Sequence, residues 1–412
     1  MLTLAAGWRD GGFWPAQAAA IALIAVVLLA VSLVTAPRDR GSTFVIVSLL
    51  VLTAWWWIRS ATCGGGADFL PLGASMLAFA AAFAATRALR GDARQWAALA
   101  MAGLGATVSL TGFVGLIGRW SPLALPAQGL WRLSASLTYA DAAGLACAVC
   151  LLLALGCTRA PMLVRVIVCL NVAGVVATQS RGAAAALACG CLLVPWTRYK
   201  EMALPLAAGV ALGVAAVASS PQRSAVPWLG AVLVIAVALA LLNLSLRLRV
   251  LRGTHAQVAA SALAVAGFAV AALLVHHEIG LRALAPSDQD RSAEWTAAFH
   301  QWTSAPLVGV GPDRLLALGA NDGSWAHFAH NEYLQITADA GLVGLALVGL
   351  TGASLGGTLR RTGPLSSAAV ACLVCWAVGG LFDFSWHLPA LGLLGGWCAG
   401  LATQGTLQGD GQ

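Results

Sequence analysis

Long apolar runs recur along the whole chain, and they restrict its fold more than any other feature. These runs contain few charged side chains and end at clusters of Arg, Pro or Gly. A helix of roughly 20 apolar residues crosses the hydrocarbon core of a bilayer. We therefore predict an all-α, polytopic integral membrane protein with twelve or thirteen spans. The predicted spans are residues 13–35, 42–59, 67–88, 94–117, 138–157, 161–178, 182–197, 201–219, 227–245, 256–276, 332–355, 365–381 and 387–404.

The composition supports this class. Hydrophobic residues make up 59% of the chain and charged residues 9%, whereas soluble domains carry about 25% charged residues. The net charge of +7 does not indicate nucleic-acid binding, because the cations stand singly between apolar runs. The ten cysteines lie in predicted spans except Cys63, so we expect no intramolecular disulfide there. The N-terminus lacks a basic start and a cleavage site, so the first run should remain a span.

The basic residues predict the orientation, since Arg and Lys accumulate in cytoplasmic loops. They cluster at every second connection or beside it: Arg38, Arg40, Arg87, Arg90, Arg94, Arg159, Arg165, Arg198, Lys200, Arg247, Arg249, Arg252, Arg360 and Arg361. The other face receives the 118–137 loop, the turn at Ser180, the 277–331 segment and the 383–387 turn. We therefore predict one transmembrane domain over residues 1–412, with 277–331 as a long extracytoplasmic loop and the polar chemistry on that side.

Within this loop, Trp295, Ala298, Phe299 and Trp302 recur at helical spacing opposite Glu294 and Gln301. The pattern predicts an amphipathic helix in the membrane interface. Ser287 with Asp290 could cap its start. A Gly and Pro loop, PLVGVGP, follows at 306–312.

Three arginines on the predicted outer face are candidates for anion binding. Arg181 stands between two apolar spans, where a charge is costly. A guanidinium can bind phosphate through two hydrogen bonds, or it can simply snorkel to the interface and mark a helix end. The same two interpretations apply to Arg132 and Arg291.

His330 opens a predicted span, where the positive helix end should favour a neutral imidazole. A neutral imidazole can act as a general base, but His330 could equally be a polar residue at the interface. A metal pair with His327 lacks a third ligand at zinc spacing.

Four carboxylates and the pair of Trp386 and His387 leave further alternatives open. The D-x-D of Asp288 and Asp290 fits helix capping better than cation binding. We expect Asp141 and Asp339, just inside spans, to pair with arginines. Trp386 and His387 could form an interfacial belt.

These motifs together resemble the O-antigen ligase family, which includes O-antigen ligases, Wzy-type O-antigen polymerases and protein O-oligosaccharyltransferases. The likeness runs from about residue 131 to 390. It rests on Arg132 with Tyr139 and Asp141, on SRGA at 180–183, on Arg291 with Trp295, Pro306, Gly309 and Gly311, and most specifically on HNEYLQ at 330–335 followed by Asp339, Gly341 and Gly344. Asp141 and Asp339 depart from the family pattern, which usually has Asn and Glu there.

The resemblance implies a GT-C-like membrane glycosyltransferase of bacterial cell-surface polysaccharide or lipopolysaccharide biosynthesis. Such an enzyme moves a glycan from an undecaprenyl-pyrophosphate-type carrier to a glycan, lipid or protein acceptor, at the outer face of the cytoplasmic (inner) membrane. It implies no cofactor and no metal, so clustered arginines must neutralise the leaving pyrophosphate. Arg181 and His330 are then the catalytic residues, and Arg132, Arg291, Asn331, Asp141 and His387 bind substrate.

Two other classes remain open. A multi-span transporter or flippase of a lipid-linked or small anionic substrate would also have many spans, intramembrane charge and Gly-rich helices. It would keep its site near the midplane, however, whereas the polar residues here collect at one face. A scaffold without activity is the third possibility, and it would tolerate alanine at Arg181 and His330.

Overall fold

The computed structural model describes residues 10–35, 39–64, 70–127, 129–218, 220, 289–315, 317–318, 325–359 and 363–403. These residues form twelve α-helices: α1 (Pro15–Thr35), α2 (Arg40–Thr62), α3 (Leu70–Arg87), α4 (Asp92–Gly118), α5 (Ala140–Gly156), α6 (Pro161–Thr178), α7 (Arg181–Cys191), α8 (Trp196–Ala218), α9 (Gln289–Ser304), α10 (Glu332–Thr358), α11 (Pro364–Gly379) and α12 (Pro389–Ala402). Two antiparallel strand pairs complete this part of the chain, β1 (Ala124–Ala127) with β2 (Leu130–Leu133) and β3 (Ala317–Leu318) with β4 (Trp325–Ala326).

The all-α, polytopic prediction is confirmed. Within the described ranges, seven helices are long and apolar enough to cross a membrane, namely α1, α2, α3, α4, α6, α8 and α10. Three further apolar helices, α5, α11 and α12, are shorter. The spans predicted at 227–245 and 256–276 lie outside the described residues, as do Ser287 and Asp288. Local signals begin several helices: Asp39 caps α2 by accepting from the Ser42 amide at 2.8 Å, and prolines open α6, α11 and α12.

The predicted span at 182–197 was too long. Helix α7 has only 11 residues and ends at Cys191, so it is about 16 Å long and cannot cross a core of about 30 Å alone. Pro195 explains the early end, because proline has no amide hydrogen and disfavours helix at the preceding residue. Turn hydrogen bonds from Leu193 to Gly190 and from Val194 to Cys191 replace the helix there.

The described residues of Met1–Arg94 and Ser287–Gln412 form one compact unit, and those of Gln95–Pro286 form a second. In the first unit, α3 lies at the centre, packed against α1 and α12, while α10 packs against α2. Glycines allow the close contact of α12 with α3, since a Cβ at Gly396 or Gly400 would overlap the α3 backbone at Phe79 or Phe83.

At each end of the first unit, contacts join segments that are far apart in the sequence. At one end, the Arg59 guanidinium donates to the Gly309 carbonyl at 2.7 Å, and the rings of Phe13 and Phe328 meet at 5.9 Å. We call this the His330 end. At the opposite end, which we call the Arg94 end, Arg94 donates to the Thr403 carbonyl at 3.1 Å, and Arg87 pairs with Asp39.

The second unit contains α4 from Gln95 onward, β1, β2 and helices α5 to α8. At one end, the Trp131 amide donates to Ser220 at 2.9 Å. At the other, Arg198 at the start of α8 donates to the Leu155 carbonyl near the end of α5 at 2.7 Å. The short α7 and the turn after it therefore return the chain to the level where α5 ends, so the helices still alternate in direction.

Helix α10 is broken at Gly341, whose backbone has φ 70° and ψ −169°. The 306–311 loop lies in the break. The amides of Val310 and Gly311 donate to the carbonyls of Ala338 and Asp339 at 2.9 and 3.0 Å, and the amides of Leu342 and Val343 donate to Pro306 and Leu307 at 3.0 and 3.1 Å. A broken helix inside a membrane protein needs such replacement partners, because no water is available in the hydrocarbon core.

Candidate active site

His330 forms a hydrogen-bonded pair with Glu294, and this pair is the centre of the candidate site in the first unit. His330 Nδ1 lies 2.8 Å from Glu294 Oε2. Glu294 is buried on α9, whereas Trp295 and Phe299 on the other side of that helix are exposed. A helix is thus present where the sequence predicted one, but its sides differ from the prediction, because Ala298 is buried together with Glu294 and not exposed with Trp295 and Phe299. A carboxylate beside Nδ1 favours the tautomer with its proton on Nδ1, which leaves Nε2 as the unprotonated nitrogen.

The backbone holds His330 in an unusual conformation. Its φ is +45°, a left-handed value that is uncommon for residues other than glycine. The next residue, Asn331, caps α10 by accepting from the Leu334 amide at 3.1 Å. His330 therefore precedes the helix cap and does not lie in the first turn. Strained backbone of this kind clusters at functional sites.

The charge environment of His330 differs from our expectation of a neutral imidazole. Burial favours the neutral form, but the hydrogen bond to Glu294 and the charges of Asp383 and Glu294 outweigh burial and the nearby Arg291, and they raise the pKa of His330. The helix-dipole argument failed because two carboxylates from distant segments oppose it. A raised pKa makes the neutral imidazole a stronger base.

A second carboxylate–imidazole pair lies beside the start of α10. Glu332 is completely buried and accepts from three donors: the Trp386 amide, the His387 amide at 3.2 Å and His387 Nδ1 at 3.0 Å. Its own amide donates to Gly380 at 2.7 Å. Glu332 thus fixes the turn that carries His387 and the orientation of its ring.

Aromatic rings separate the two histidines. Phe328 and Phe384 are stacked, with centroids 4.3 Å apart and planes at 14°. The edge of Phe384 meets His330 at 5.2 Å, and Phe328 meets His387 at 5.1 Å. These rings limit water around the imidazoles and hold both in position.

The second unit holds a separate cationic group. Arg132 on β2 donates to Asp141 Oδ1 at 3.0 Å and to the Thr178 carbonyl at 3.0 Å. The predicted pairing of Asp141 with an arginine is confirmed. Two turns are thereby joined, since Asp141 lies in the first turn of α5 and Thr178 ends α6.

Arg181 is the first residue of α7 and is exposed. Ser180 caps this helix by accepting from the Ala183 amide at 3.2 Å. A helix N-terminus already carries partial positive charge, so a guanidinium there creates a strongly anion-attracting position. Gly144 lets α5 approach this turn, because a Cβ there would lie 2.8 Å from the Thr178 hydroxyl and 2.9 Å from Ala183.

The first unit thus contains four predicted site residues, Arg291, His330, Asn331 and His387, and the second contains Arg132, Asp141 and Arg181. The Asp339 prediction was wrong: this carboxylate accepts from Gln335 at 2.7 Å and has no arginine partner among the described residues. Sequence reasoning did not assign roles to Glu294, Glu332, Asp383, Phe328 and Phe384. Three of these residues lie in segments that the sequence analysis did single out. HNEYLQ at 330–335 contains Glu332, and the turn segment FDFSWH at 382–387 contains Asp383 and Phe384.

The fold and the paired carboxylates and imidazoles define a polytopic helical membrane protein with a polar site at one end of its first unit. Residues 166–349 match the family model described as O-antigen ligase. The resemblance to that family is therefore confirmed, over a shorter range than residues 131–390. Arg181, Arg291, His330 and Asn331 lie within the matched range, whereas Arg132, Asp141 and His387 lie outside it. No curated protein matches the chain significantly. The family match supports a general function in membrane glycan transfer.

Proposed function

We propose that this protein transfers a glycan from a polyprenyl pyrophosphate carrier, of the undecaprenyl type, to an acceptor hydroxyl at the outer face of the bacterial cytoplasmic membrane. The hydrogen-bonded pair of Glu294 and His330 carries the proposal. It provides an oriented imidazole of raised pKa at the first position of the HNEYLQ motif, inside the range matched by the O-antigen ligase family.

The proposed step is a direct displacement. The acceptor oxygen bonds to the anomeric carbon while the bond from that carbon to the phosphate oxygen breaks. His330 Nε2 takes the acceptor proton, and the electron pair leaves with the carrier pyrophosphate. Attack opposite to the leaving group inverts the anomeric centre. Glu294 stabilises the imidazolium that forms, as carboxylates do in other histidine bases.

The pyrophosphate gains negative charge as the anomeric bond breaks, and this charge must be neutralised. We assign that role first to Arg181, because its guanidinium stands at a helix N-terminus. Arg132 and Arg291 support it, Asp141 orients Arg132 through their ion pair, and Asn331 and His387 bind the glycan. In this proposal the arginines replace a metal.

The test uses purified protein in proteoliposomes, with a labelled polyprenyl pyrophosphate glycan, candidate acceptors and a chelator. We expect wild type to release carrier pyrophosphate and to glycosylate one acceptor. His330→Ala should lower kcat about 10²- to 10⁴-fold, the usual contribution of a general base, and Arg181→Ala should lower it similarly.

His300→Ala on the exposed side of α9 and Arg90→Ala at the Arg94 end are the matched controls; both should keep activity. Full activity of His330→Ala would exclude the base role. A wild type that moves labelled lipid across the bilayer without glycan transfer would instead be a flippase.

A further inference from the structure

The first unit contains an apolar cavity that the proposed reaction does not use. Its volume is about 410 Å³, and it lies among helices α2, α3, α10 and α11. Representative lining residues are Leu52, Met76, Ile336, Leu355, Val374 and Trp386. Its lining contains no charged side chain. This volume is typical of ligand pockets.

The polar groups in the lining are already bonded within the protein. The Tyr333 hydroxyl donates to Ala377 at 3.0 Å, the Trp376 ring nitrogen donates to Leu391 at 2.9 Å, and the Thr351 hydroxyl donates to Leu347 at 2.8 Å. A polar ligand would lose its hydration in this cavity and gain no hydrogen bonds from these groups. The lining therefore favours a hydrocarbon over a polar ligand.

The cavity lies against both parts of α10. Tyr333 and Ile336 line it before the break at Gly341, and residues from Val348 to Leu359 line it after the break. The residues after the break include Gly349, Gly352 and Gly356, and a Cβ at any of them would meet no atom within 4 Å. A lining that involves both parts of α10 fits an extended hydrocarbon chain.

One end of the cavity adjoins the candidate site. Tyr333 and Trp386 line that end. Tyr333 directly follows Glu332 in the chain, and Trp386 directly precedes His387, so both adjoin the buried Glu332–His387 pair. A lipid-linked substrate that reacts at the His330 end must place its tail in the membrane close by.

We propose that this cavity binds the isoprenoid tail of the polyprenyl pyrophosphate donor. The proposal rests on the proposed function for the identity of the lipid, and on the cavity for its position. Gly349, Gly352 and Gly356 are then the residues that leave room for the tail.

The first test is binding, measured without transfer. A photoreactive polyprenyl phosphate that carries no glycan is added to the protein in nanodiscs, in the presence of excess phospholipid. Wild type should be labelled on α10 and α11. A Cβ at Gly352 meets no atom within 4 Å, so Gly352→Leu adds a side chain at the cavity wall. It should reduce this labelling about tenfold, which corresponds to displacing about two methylene groups from apolar contact.

Gly357→Leu is the matched control, because Gly357 lies on the same helix with open space around it but does not line the cavity. It should label like wild type. Gly349→Leu gives a second cavity-filling variant, and thermal melting of all three verifies the fold. Equal labelling of wild type and both filled variants, or labelling spread evenly over the lipid-facing helices, would mean that phospholipid or another segment of the chain fills the cavity.

The second test is kinetic. Gly352→Leu should raise the KM of a long-chain donor about tenfold and leave the KM of a donor with a geranyl tail unchanged. If wild type binds the probe at α10 and α11 but transfers no glycan, the cavity assignment stands and the proposed function fails. If wild type transfers glycan, and Gly352→Leu has the wild-type KM for the long-chain donor and for the geranyl donor, the cavity assignment fails and the proposed function stands.

Discussion

Glu294 contributes to the raised pKa of His330, so its replacement should change how activity depends on pH. In the proposed mechanism the base must be neutral, and kcat/KM of wild type should therefore rise as pH increases through the raised pKa of His330. Glu294→Gln keeps a hydrogen-bond acceptor for Nδ1 and removes the negative charge. Burial then dominates, the pKa of His330 falls, and the rise of kcat/KM should occur at lower pH. The measurement is a pH profile of kcat/KM for both proteins.

Glu201→Gln is the control for this substitution, because Glu201 pairs with Arg198 in the second unit. It should leave the profile unchanged. Folding stability depends on pH in the opposite direction to activity. The Glu294–His330 pair stabilises the fold fully below the ordinary histidine pKa of about 6.5, and this contribution is lost as pH rises through the raised pKa of His330. An unshifted profile in Glu294→Gln would show that another group is the base.

Single residues were predictable where their chemistry is local. The resemblance motif marked His330, and the cost of a carboxylate in a span predicted the pairing of Asp141 with Arg132, nine positions away. Glu294 and Glu332 contact histidines 36 and 55 positions away. Such pairs depend on how α9 and the 385–387 turn fold onto α10, and a single sequence does not contain that information.

At the scale of elements, the break in α10 and the 306–311 loop act together. Gly341 and Gly309 both have positive φ, at 70° and 72°, and the backbones approach so closely that a Cβ on either would overlap the other segment. The four amides that cross this contact replace the missing helical bonds. The loop therefore fixes α10 at its break, in the helix that begins two residues after His330.

Gly341→Ala should disturb this contact. The backbone conformation at Gly341 is essentially restricted to glycine, and the new methyl would overlap the Leu307 carbonyl. We expect the free energy of unfolding to fall by about 3 kcal/mol, measured as a lower thermal midpoint in detergent. A Cβ at Gly349 on the same helix meets no atom within 4 Å, so Gly349→Ala should instead stabilise the protein by up to about 1 kcal/mol. Equal midpoints for the two variants would mean that the loop does not hold α10.

Helix positions were predictable because apolar length alone determines which segments cross a bilayer. The spans predicted at 161–178 and 365–381 match α6 and α11 within two residues. Helix α7 was not predicted correctly, because the apolar run continues through Leu192 and Leu193 whereas Pro195 and the preceding turn end the helix. The break at Gly341 was also missed, since one glycine in an apolar run does not show whether another loop replaces its hydrogen bonds.

For the molecule as a whole, the described charges of the first unit are distributed unevenly between its two ends. The carboxylates Glu294, Glu332 and Asp383 lie at the His330 end together with Arg59 and Arg291, whereas Arg40, Arg87, Arg90 and Arg94 lie at the Arg94 end together with Asp39 and Asp92. The excess of arginine at one end predicts that this end faces the cytoplasm. A polyprenyl-linked donor would then meet the site on the outer face, where no nucleotide-sugar supply exists.

This orientation can be tested with two cysteine variants in a Cys63→Ser background. Thr303→Cys lies at the exposed end of α9, at the His330 end, and Arg90→Cys lies in an exposed turn at the Arg94 end. In spheroplasts, a thiol reagent that cannot cross the cytoplasmic membrane should label Thr303→Cys at once, and Arg90→Cys only after permeabilisation. Labelling of the Cys63→Ser parent measures the background from the cysteines within helices. If the pattern were reversed, the site would face the cytoplasm, and a lipid-linked donor at the outer face could not reach His330.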